Sequence, residues 1–288
     1  MSEHPPERDP VSGYLTTGHD WNGITELNAP VPRAVWGFMI VAHVAAILVL
    51  ILMPAIPLGR SYTAGLLGLS SGAMVDAAVA KAKAVRAPFM DAIIAKDFET
   101  LQKDAALMPF VQTTGATLFA DNCAACHGAQ GVGGPGFPRL NDADWLWGNA
   151  ADTIYETLRV GINSAHPETR YAQMPAFGHD ELLTKDQINL LVPYVMALSS
   201  PGSATTPEAT ALFAENCVSC HGENGAGLIE VGAPNLTDTN WQYGGSAEAI
   251  HTTLQRGRQG QMPTWEQRLT PAERKILTLY VLDLGGGK

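Results

Sequence analysis

A motif of two cysteines followed directly by a histidine occurs twice in the chain and uses all of its cysteines. The two copies are residues 123–127 (CAACH) and residues 217–221 (CVSCH). This spacing is the attachment pattern of c-type haem, in which both thiols bond one porphyrin and the next histidine lies under the iron. The predicted residues are Cys123, Cys126, Cys217 and Cys220 for covalent attachment, and His127 and His221 as axial ligands. The sequence therefore predicts two covalently attached haem c groups.

A CxxC pair also occurs in thioredoxin-like redox proteins and in zinc sites. A redox pair of that kind needs a βαβ context and no fixed histidine. A zinc site needs four ligands in one cluster, whereas the two pairs lie in separate repeats, each with its own later methionine. The haem interpretation is therefore favoured over both alternatives.

Each motif is followed by a methionine that precedes a proline. The two segments are Gln173-Met174-Pro175 and Gln261-Met262-Pro263. Histidine–methionine ligation is a known arrangement at haem iron and raises the reduction potential, and proline restrains the backbone of a ligand loop. Methionine also serves as a filler of apolar cores, but these two occupy matched places in both repeats. We therefore expect Met174 and Met262 to be the second axial ligands.

Both motifs lie inside a longer internal duplication. Residues 118–120 match residues 212–214 ahead of the motif, and Gly161 matches Gly257 behind it. The first repeat carries eight extra residues before its methionine, including His166-Pro167-Glu168. Each repeat reads as a helix, CxxCH, a glycine-rich loop, a middle helix, a Met-Pro loop and a final helix that opens with a capping box. The predicted fold class is all-α, with one N-terminal transmembrane helix and two tandem class I cytochrome c domains.

Two further pairs of matched residues are candidates for the surroundings of the haems. Pro138 and Pro234 follow the glycine-rich loops, where a proline carbonyl can orient the ligand histidine by accepting its ring N–H. A simple turn is the alternative interpretation for both prolines. Trp145 and Trp241 are candidates for contact with a haem edge or propionate, and plain core aromatics are the alternative.

One segment is long and apolar enough to cross a membrane. Ala34–Met53 contains no Asp, Glu, Lys, Arg, Asn or Gln, and its apolar character continues to Leu58. The segment starts more than 30 residues into the chain and lacks a signal-peptide cleavage pattern, which favours an uncleaved anchor. His43 lies in mid-span, where a polar ring is expected to hydrogen-bond a helix of a partner subunit. Ligation of a haem b, which would need a second histidine, is the alternative. Because c-type haems are attached outside the cytoplasmic membrane of bacteria, we expect a cytoplasmic N-terminus and periplasmic haem domains.

The sequence predicts the following domain organisation. In chain order it is a cytoplasmic stub (1–33), a transmembrane anchor helix (34–58), a helical membrane-proximal linker (59–114), cytochrome c domain 1 (115–200), a linker (201–206) and cytochrome c domain 2 (207–288). Within the first linker, helices are predicted over Val75–Arg86 and Asp91–Leu107, with breaks at Pro88 and Pro109. The net charge of −10 excludes nucleic acid as a natural partner and suits a basic electron donor, or solubility alone.

Several blocks outside the haem motifs carry a family resemblance. They are residues 17–28 (TGHDWNGITELN), Ser61-Tyr62-Thr63, residues 134–142 (GPGFPRLND) and residues 144–148 (DWLWG). With these blocks in this order, the chain resembles the membrane-anchored dihaem subunit III (CcoP/FixP) of cbb3-type cytochrome c oxidases over nearly its whole length. The resemblance implies ligation of the first haem by His127 and Met174 and of the second by His221 and Met262.

The resemblance also implies a function in a bacterial respiratory complex. The chain would relay electrons from a soluble or membrane cytochrome c donor toward a haem-copper catalytic subunit, where oxygen is reduced and protons are pumped, beside a monohaem cytochrome c subunit. It would have no active site of its own. From the chain order alone, we expect electrons from a soluble cytochrome to enter through the second repeat, the one farther from the anchor. The alternatives are an independent membrane-anchored dihaem shuttle and, with less support, a dihaem peroxidase or dehydrogenase, which would need an open axial position.

Overall fold

The computed structural model describes residues 2–3, 5–200 and 205–286, which form two compact units, residues 1–83 and 84–288. Residues 201–204 of the predicted linker between the repeats lie outside the described residues. The described chain is mainly helical, as the sequence predicts, with one small sheet near the N-terminus.

The first unit contains a sheet that the sequence analysis did not predict. Three antiparallel strands, β1 (Ser2–Glu3), β2 (Thr16–Trp21) and β3 (Ile24–Leu27), follow one another in space in chain order. Asn22 and Gly23 join β2 to β3, both with positive φ (56° and 90°). A two-residue Asn-Gly loop of this kind matches the twist of paired strands, so a hairpin forms in the predicted stub.

The predicted membrane span is one continuous helix, α1 (Arg33–Leu52), with no buried residue. It ends earlier than the predicted residue 58 because Met53 is extended and the chain then folds back. The N–H groups of Leu66 and Leu67 donate to the carbonyls of Ile51 and Leu52, at 2.9 and 3.1 Å. Such bonds satisfy carbonyls that the end of a helix leaves without partners.

The segment before the first haem motif differs from its prediction. Helix α2 (Ser71–Ala95) contains the predicted helix over Val75–Arg86 but runs through Pro88, where a break was expected, and the predicted helix over Asp91–Leu107 is divided between the end of α2 and a second, short helix. Helix α2 ends at Ala95, and Asp97 caps the short helix, α3 (Phe98–Gln102), by accepting the N–H of Thr100 at 2.7 Å. A proline inside a helix removes one hydrogen bond. Burial of residues in the last turns of α2 offsets that loss.

The remaining helices of the second unit follow the order of the two repeats. They are α4 (Met108–Asn122), α5 (Ala124–His127), α6 (Ala151–Val160), α7 (Lys185–Leu198), α8 (Pro207–Asn216), α9 (Val218–His221), α10 (Ala247–Arg256) and α11 (Pro271–Val281), which is followed by a π-helical turn (Leu282–Gly286). Of these, α4–α7 lie in the first repeat and α8–α11 in the second. Both predicted capping boxes are present, at Thr184 with Gln187 and at Thr270 with Glu273. Pro109 lies in the first turn of α4, where its missing N–H breaks no helical bond.

The final helices of the two repeats are exchanged. Helix α11, from the second repeat, packs on α4 and α6 of the first repeat, while α7 of the first repeat packs on α8 and α10 of the second. We call the group α4, α5, α6 and α11 the first bundle, and the group α7, α8, α9 and α10 the second bundle. The sequence analysis expected each repeat to close on itself, and the packing of the structure differs from that expectation.

Buried apolar side chains hold each bundle together. In the first bundle, Phe119 of α4 and Leu158 of α6 lie in one cluster with Leu277 of α11. In the second, Leu191 of α7 lies in one cluster with Phe213 of α8. Both final helices bury apolar side chains, among them Ile188 of α7 and Ile276 of α11. The short connection between α7 and α8 lets these two helices pack as sequence neighbours, which is the usual relationship of consecutive elements.

Candidate haem-binding sites

Each CxxCH motif folds into a single helical turn. In the first copy, the N–H of His127 donates to the carbonyl of Cys123 at 2.9 Å, and Gly128 follows with a positive φ of 76°. The second copy repeats this geometry, with His221 donating to Cys217 at 2.9 Å. The turn brings two thiols and one imidazole to the same short segment, as attachment of one porphyrin requires.

Both motif histidines are oriented by the prolines that the sequence analysis proposed. The ring Nδ1 of His127 lies 3.1 Å from the carbonyl oxygen of Pro138, and that of His221 lies 3.0 Å from the carbonyl oxygen of Pro234. A carbonyl can only accept, so Nδ1 carries the proton and donates it. The other ring nitrogen, Nε2, therefore presents a lone pair that can bind iron.

Burial keeps these two rings in the form that binds a metal. It lowers the pKa of both His127 and His221, and the hydrogen bond to the proline carbonyl opposes that effect. Both rings are therefore neutral near pH 7, and neutral imidazole is the ligand form of histidine.

The cysteines do not fit the two alternatives to haem. Burial raises the pKa of the Cys123 and Cys217 thiols to about 11, with a smaller effect of the second cysteine of each motif. A thioredoxin-like dithiol depends on a thiol pKa lowered below its ordinary value. In the described ranges, no three or more His, Cys, Asp or Glu side chains gather into a group that could hold a metal ion. Redox dithiol and zinc chemistry are therefore both disfavoured.

A cavity of about 640 Å³ is lined by both motifs, both candidate methionines and both tryptophans of the matched pairs. Trp145 packs against the same buried cluster as Cys123, and Trp241 packs against the buried cluster that contains Cys217. Each tryptophan is thus half-buried beside the motif of its own repeat. The cavity combines apolar walls, two pairs of thiols and imidazole nitrogens with free lone pairs, and this donor set fits covalently attached haem.

The methionines lie beside the opposite motifs from those predicted. Met262 packs against the same buried cluster as Cys123, and Met174 packs against the buried cluster that contains Cys217. The pairing implied by the sequence resemblance, His127 with Met174 and His221 with Met262, therefore differs from the structure. The physical reason is the exchange of the final helices, because each Met-Pro loop leads into the exchanged helix.

Backbone hydrogen bonds fix the exchanged loops reciprocally. Met262 and Ile162 exchange N–H···O bonds at 2.9 Å each, and Met174 and Arg258 exchange equivalent bonds at 2.8 and 3.1 Å. Ile162 directly follows Gly161, and Arg258 directly follows Gly257, the glycine at the matched position of the other repeat. The two loops thus occupy equivalent places in the two bundles.

The matched glycines explain why the loops can come so close. A Cβ at Gly161 would lie 2.5 Å from the carbonyl oxygen of Met262, and a Cβ at Gly257 would lie 2.5 Å from that of Met174. Both glycines also have a positive φ, 72° and 66°. The repeat alignment pairs these two glycines, but their contact with the Met-Pro loops is visible only in the structure.

We expect Gly161→Ala to displace the Met262 loop. The new Cβ would meet a backbone oxygen, and a positive φ costs a non-glycine residue about 1–2 kcal/mol. The purified, haem-loaded chain should lose part of the long-wavelength absorption band that marks methionine-ligated ferric haem. Gly134→Ala is the matched control, because nothing lies within 4 Å of its Cβ position. An unchanged band in Gly161→Ala would contradict the close approach of Met262.

Comparisons with known proteins agree along the whole chain. Residues 13–60 match the family model for the N-terminal domain of cytochrome oxidase-cbb3, FixP. Residues 112–199 match the model for cytochrome c, and residues 204–281 match that for cytochrome c oxidase, cbb3-type, subunit III. The family resemblance seen in the sequence is thereby confirmed.

Curated relatives match over nearly their full length. The cbb3-type cytochrome c oxidase subunit FixP of Bradyrhizobium diazoefficiens is 45% identical over 100% of both chains. Subunit CcoP of Azospirillum brasilense is 42% identical over 98% of this chain and 99% of the relative. Subunit CcoP of Cereibacter sphaeroides is 41% identical over 95% of each. With the motifs, the span and these relatives in agreement, the chain belongs to the FixP/CcoP family, the cytochrome c electron-transfer subunits of cbb3-type cytochrome c oxidases.

Proposed function

We propose that this subunit holds two haem c groups, each ligated by a histidine of one repeat and a methionine of the other. Cys123 and Cys126 would attach the first haem, with His127 and Met262 as axial ligands. For the second haem, the residues are Cys217, Cys220, His221 and Met174. Haem c, when bound, supplies an iron that takes up and returns one electron. The packing of each methionine with the opposite motif carries this proposal.

The residues around each iron set the properties of the carrier. The proline carbonyls hold the imidazoles in one orientation and one tautomer, which strengthens them as ligands. A methionine thioether on the opposite side raises the reduction potential relative to a second imidazole. The apolar walls of the cavity exclude water and add to that effect. With both axial positions filled by the protein, the subunit would have no active site of its own.

In the complex, we propose that the chain relays electrons from a soluble or membrane cytochrome c donor toward the haem-copper catalytic subunit. A monohaem cytochrome c subunit would be a second partner. Helix α1 would anchor the chain once in the inner membrane, with the N-terminus in the cytoplasm and the haem domains in the periplasm. The place of haem c attachment, outside the cytoplasmic membrane, supports this orientation.

Purification through a tag on this chain, in mild detergent, tests the proposal. The chain should bring the catalytic subunit with it, and it should keep its haem colour on a denaturing gel because the haems are covalently attached. Cys123→Ala with Cys126→Ala, and Cys217→Ala with Cys220→Ala, should each remove one haem. Recovery of the chain alone would instead indicate an independent shuttle, and turnover of peroxide by the pure chain would indicate an enzyme.

A further inference from the structure

A cluster of charged side chains joins the last turn of α6 to the loop that carries Met262. Arg159 donates to Glu156 from Nε and Nη2, at 2.8 and 2.7 Å, and from Nη1 to Glu266 at 3.3 Å. It also donates to Glu168. Glu266 lies four residues after Met262, so this guanidinium links the ligand loop to the middle helix of the other repeat.

The extra segment of the first repeat holds the same carboxylate from a second side. Ring Nε2 of His166 lies 2.9 Å from Oε2 of Glu266, and the backbone N–H of Glu168 donates to ring Nδ1 at 3.0 Å. Because a backbone N–H can only donate, Nδ1 accepts and Nε2 carries the proton. The His166 side chain is only 10% exposed, so its ring is fixed in this bridging position.

Backbone contacts place the loop directly against the end of α6. The hydroxyl of Thr264 donates to the carbonyl of Arg159 at 2.5 Å, and the N–H of Trp265 donates to the carbonyl of Leu158 at 3.0 Å. The Arg159–Glu266 contact therefore adds a side-chain bond to a loop that backbone bonds already hold against the end of α6. A shift of the loop away from α6 would break the ion pairs and these bonds together.

The second bundle has no corresponding cluster. Gln255 occupies the position that matches Arg159, and Gly178 occupies the position that matches Glu266. The Met174 loop contacts the end of α10 through backbone bonds, from Gly178 to Leu254 at 3.2 Å and from His179 to Gln255 at 2.9 Å. In the part of the chain that the structure describes, no ion pair joins that loop to α10. The two ligand loops are therefore held unequally.

The charges in the cluster persist at neutral pH. Hydrogen bonds from His166 and Arg159 lower the pKa of Glu266, and the bond from Arg159 lowers the pKa of Glu156. These carboxylates in turn raise the pKa of Arg159. Exposed ion pairs contribute little singly, but a network with a partly buried arginine restrains geometry more strongly than an isolated pair.

We propose that Arg159, His166 and Glu266 are positioning residues that hold Met262 on its iron, so that Met262 is displaced less readily than Met174. This inference rests on the proposed ligation of the first haem by Met262. The extra segment of the first repeat thereby makes the two haem sites unequal in their resistance to external ligands.

Imidazole binding to the ferric, haem-loaded full chain in detergent tests this positioning role. Imidazole competes with methionine for the sixth position, and binding to the two irons should give two phases in a spectroscopic titration. Met262→Ala identifies the phase that belongs to the first haem. In Arg159→Gln, which installs the residue of the matched position, that phase should shift to about fivefold tighter binding, the scale of a small ion-pair network. The other phase should stay unchanged.

Three further variants sharpen the result. Arg256→Gln removes an exposed cation from the matched helix α10 and should change neither phase. Glu266→Gln, which keeps the shape of the side chain, should act in the same direction as Arg159→Gln, and Arg159→Lys should restore part of the wild-type behaviour.

If Met262→Ala opens one iron while Arg159→Gln and Glu266→Gln leave both phases unchanged, the positioning role is wrong and the ligation stands. If Met262→Ala does not open the first iron, both are wrong.

Discussion

Replacing Met262 with alanine is expected to open the iron of the haem attached at Cys123 and Cys126, although Met262 belongs to the other repeat. Its side chain packs in the cluster of the first motif, and its backbone is paired with Ile162. Loss of the thioether should lower the potential of that haem on the order of 100 mV, a modest part of the range of about 0.8 V set by axial ligands. Met174→Ala should do the same to the haem at Cys217 and Cys220.

Single-haem backgrounds identify which iron is affected. In a chain with Cys217→Ala and Cys220→Ala, Met262→Ala should abolish the methionine band of the remaining ferric haem, and Met174→Ala should leave it. In the chain that carries both haems, nuclear magnetic resonance should show that the opened haem lies close to Trp145 and not to Trp241. The reverse assignment in both measurements would show that each repeat ligates its own haem and that the exchanged pairing is wrong.

Local chemistry made much of the site predictable from sequence. The CxxCH spacing fixes a single helical turn, so the candidate attachment cysteines and candidate ligand histidines follow from neighbouring residues alone. The contacts of His127 with Pro138 and of His221 with Pro234 span only a short loop. The apolar helix and the two capping boxes are likewise properties of contiguous segments. Both capping boxes lie where the sequence indicates, and the helix begins there but ends at Leu52.

The pairing of the methionines could not be predicted in the same way. Both Met-Pro loops carry the same signal, and both final helices have a buried apolar face, so sequence similarity does not distinguish the exchanged arrangement from the closed one. The choice depends on long-range packing of α11 on α4 and of α7 on α8. The eight extra residues of the first repeat were a sequence signal that its surroundings differ from those of the second. In that segment, His166 contacts Glu266 beside the Met262 loop, and Glu168 contacts Arg159.

Two misjudged segments have simpler explanations. Asn22-Gly23 between β2 and β3 is a strong hairpin signal, so the hairpin in the stub was predictable from the sequence. By local preference, Pro88 predicts a break in the helix, but tertiary packing outweighs that preference and α2 continues through it. Ile93, one turn later in α2, is fully buried in a cluster with Leu101 and Val111, and this burial stabilises the continuous helix.

Removing the second repeat, by ending the chain at residue 204, is expected to unfold the first haem site as well. Helix α11 contributes seven buried residues, and Ile276 and Leu277 among them are fully buried against the first bundle. Truncation of one such side chain typically costs about 2–5 kcal/mol, while domains are stable by only about 5–15 kcal/mol. Loss of the whole helix therefore exceeds what the remaining contacts can offset.

The shortened chain would also expose the face of α7 that normally packs on α8, including Leu191. We expect it to lack a methionine-ligated haem, to unfold without a cooperative transition and to be cleaved rapidly by protease. Removal of residues 286–288 alone, beyond the packed side chain of Leu284, should leave all three properties unchanged. Two self-contained domains would behave differently, because the first would keep its own methionine and a cooperative melt. The truncation therefore separates an exchanged pair of bundles from two repeats that fold independently.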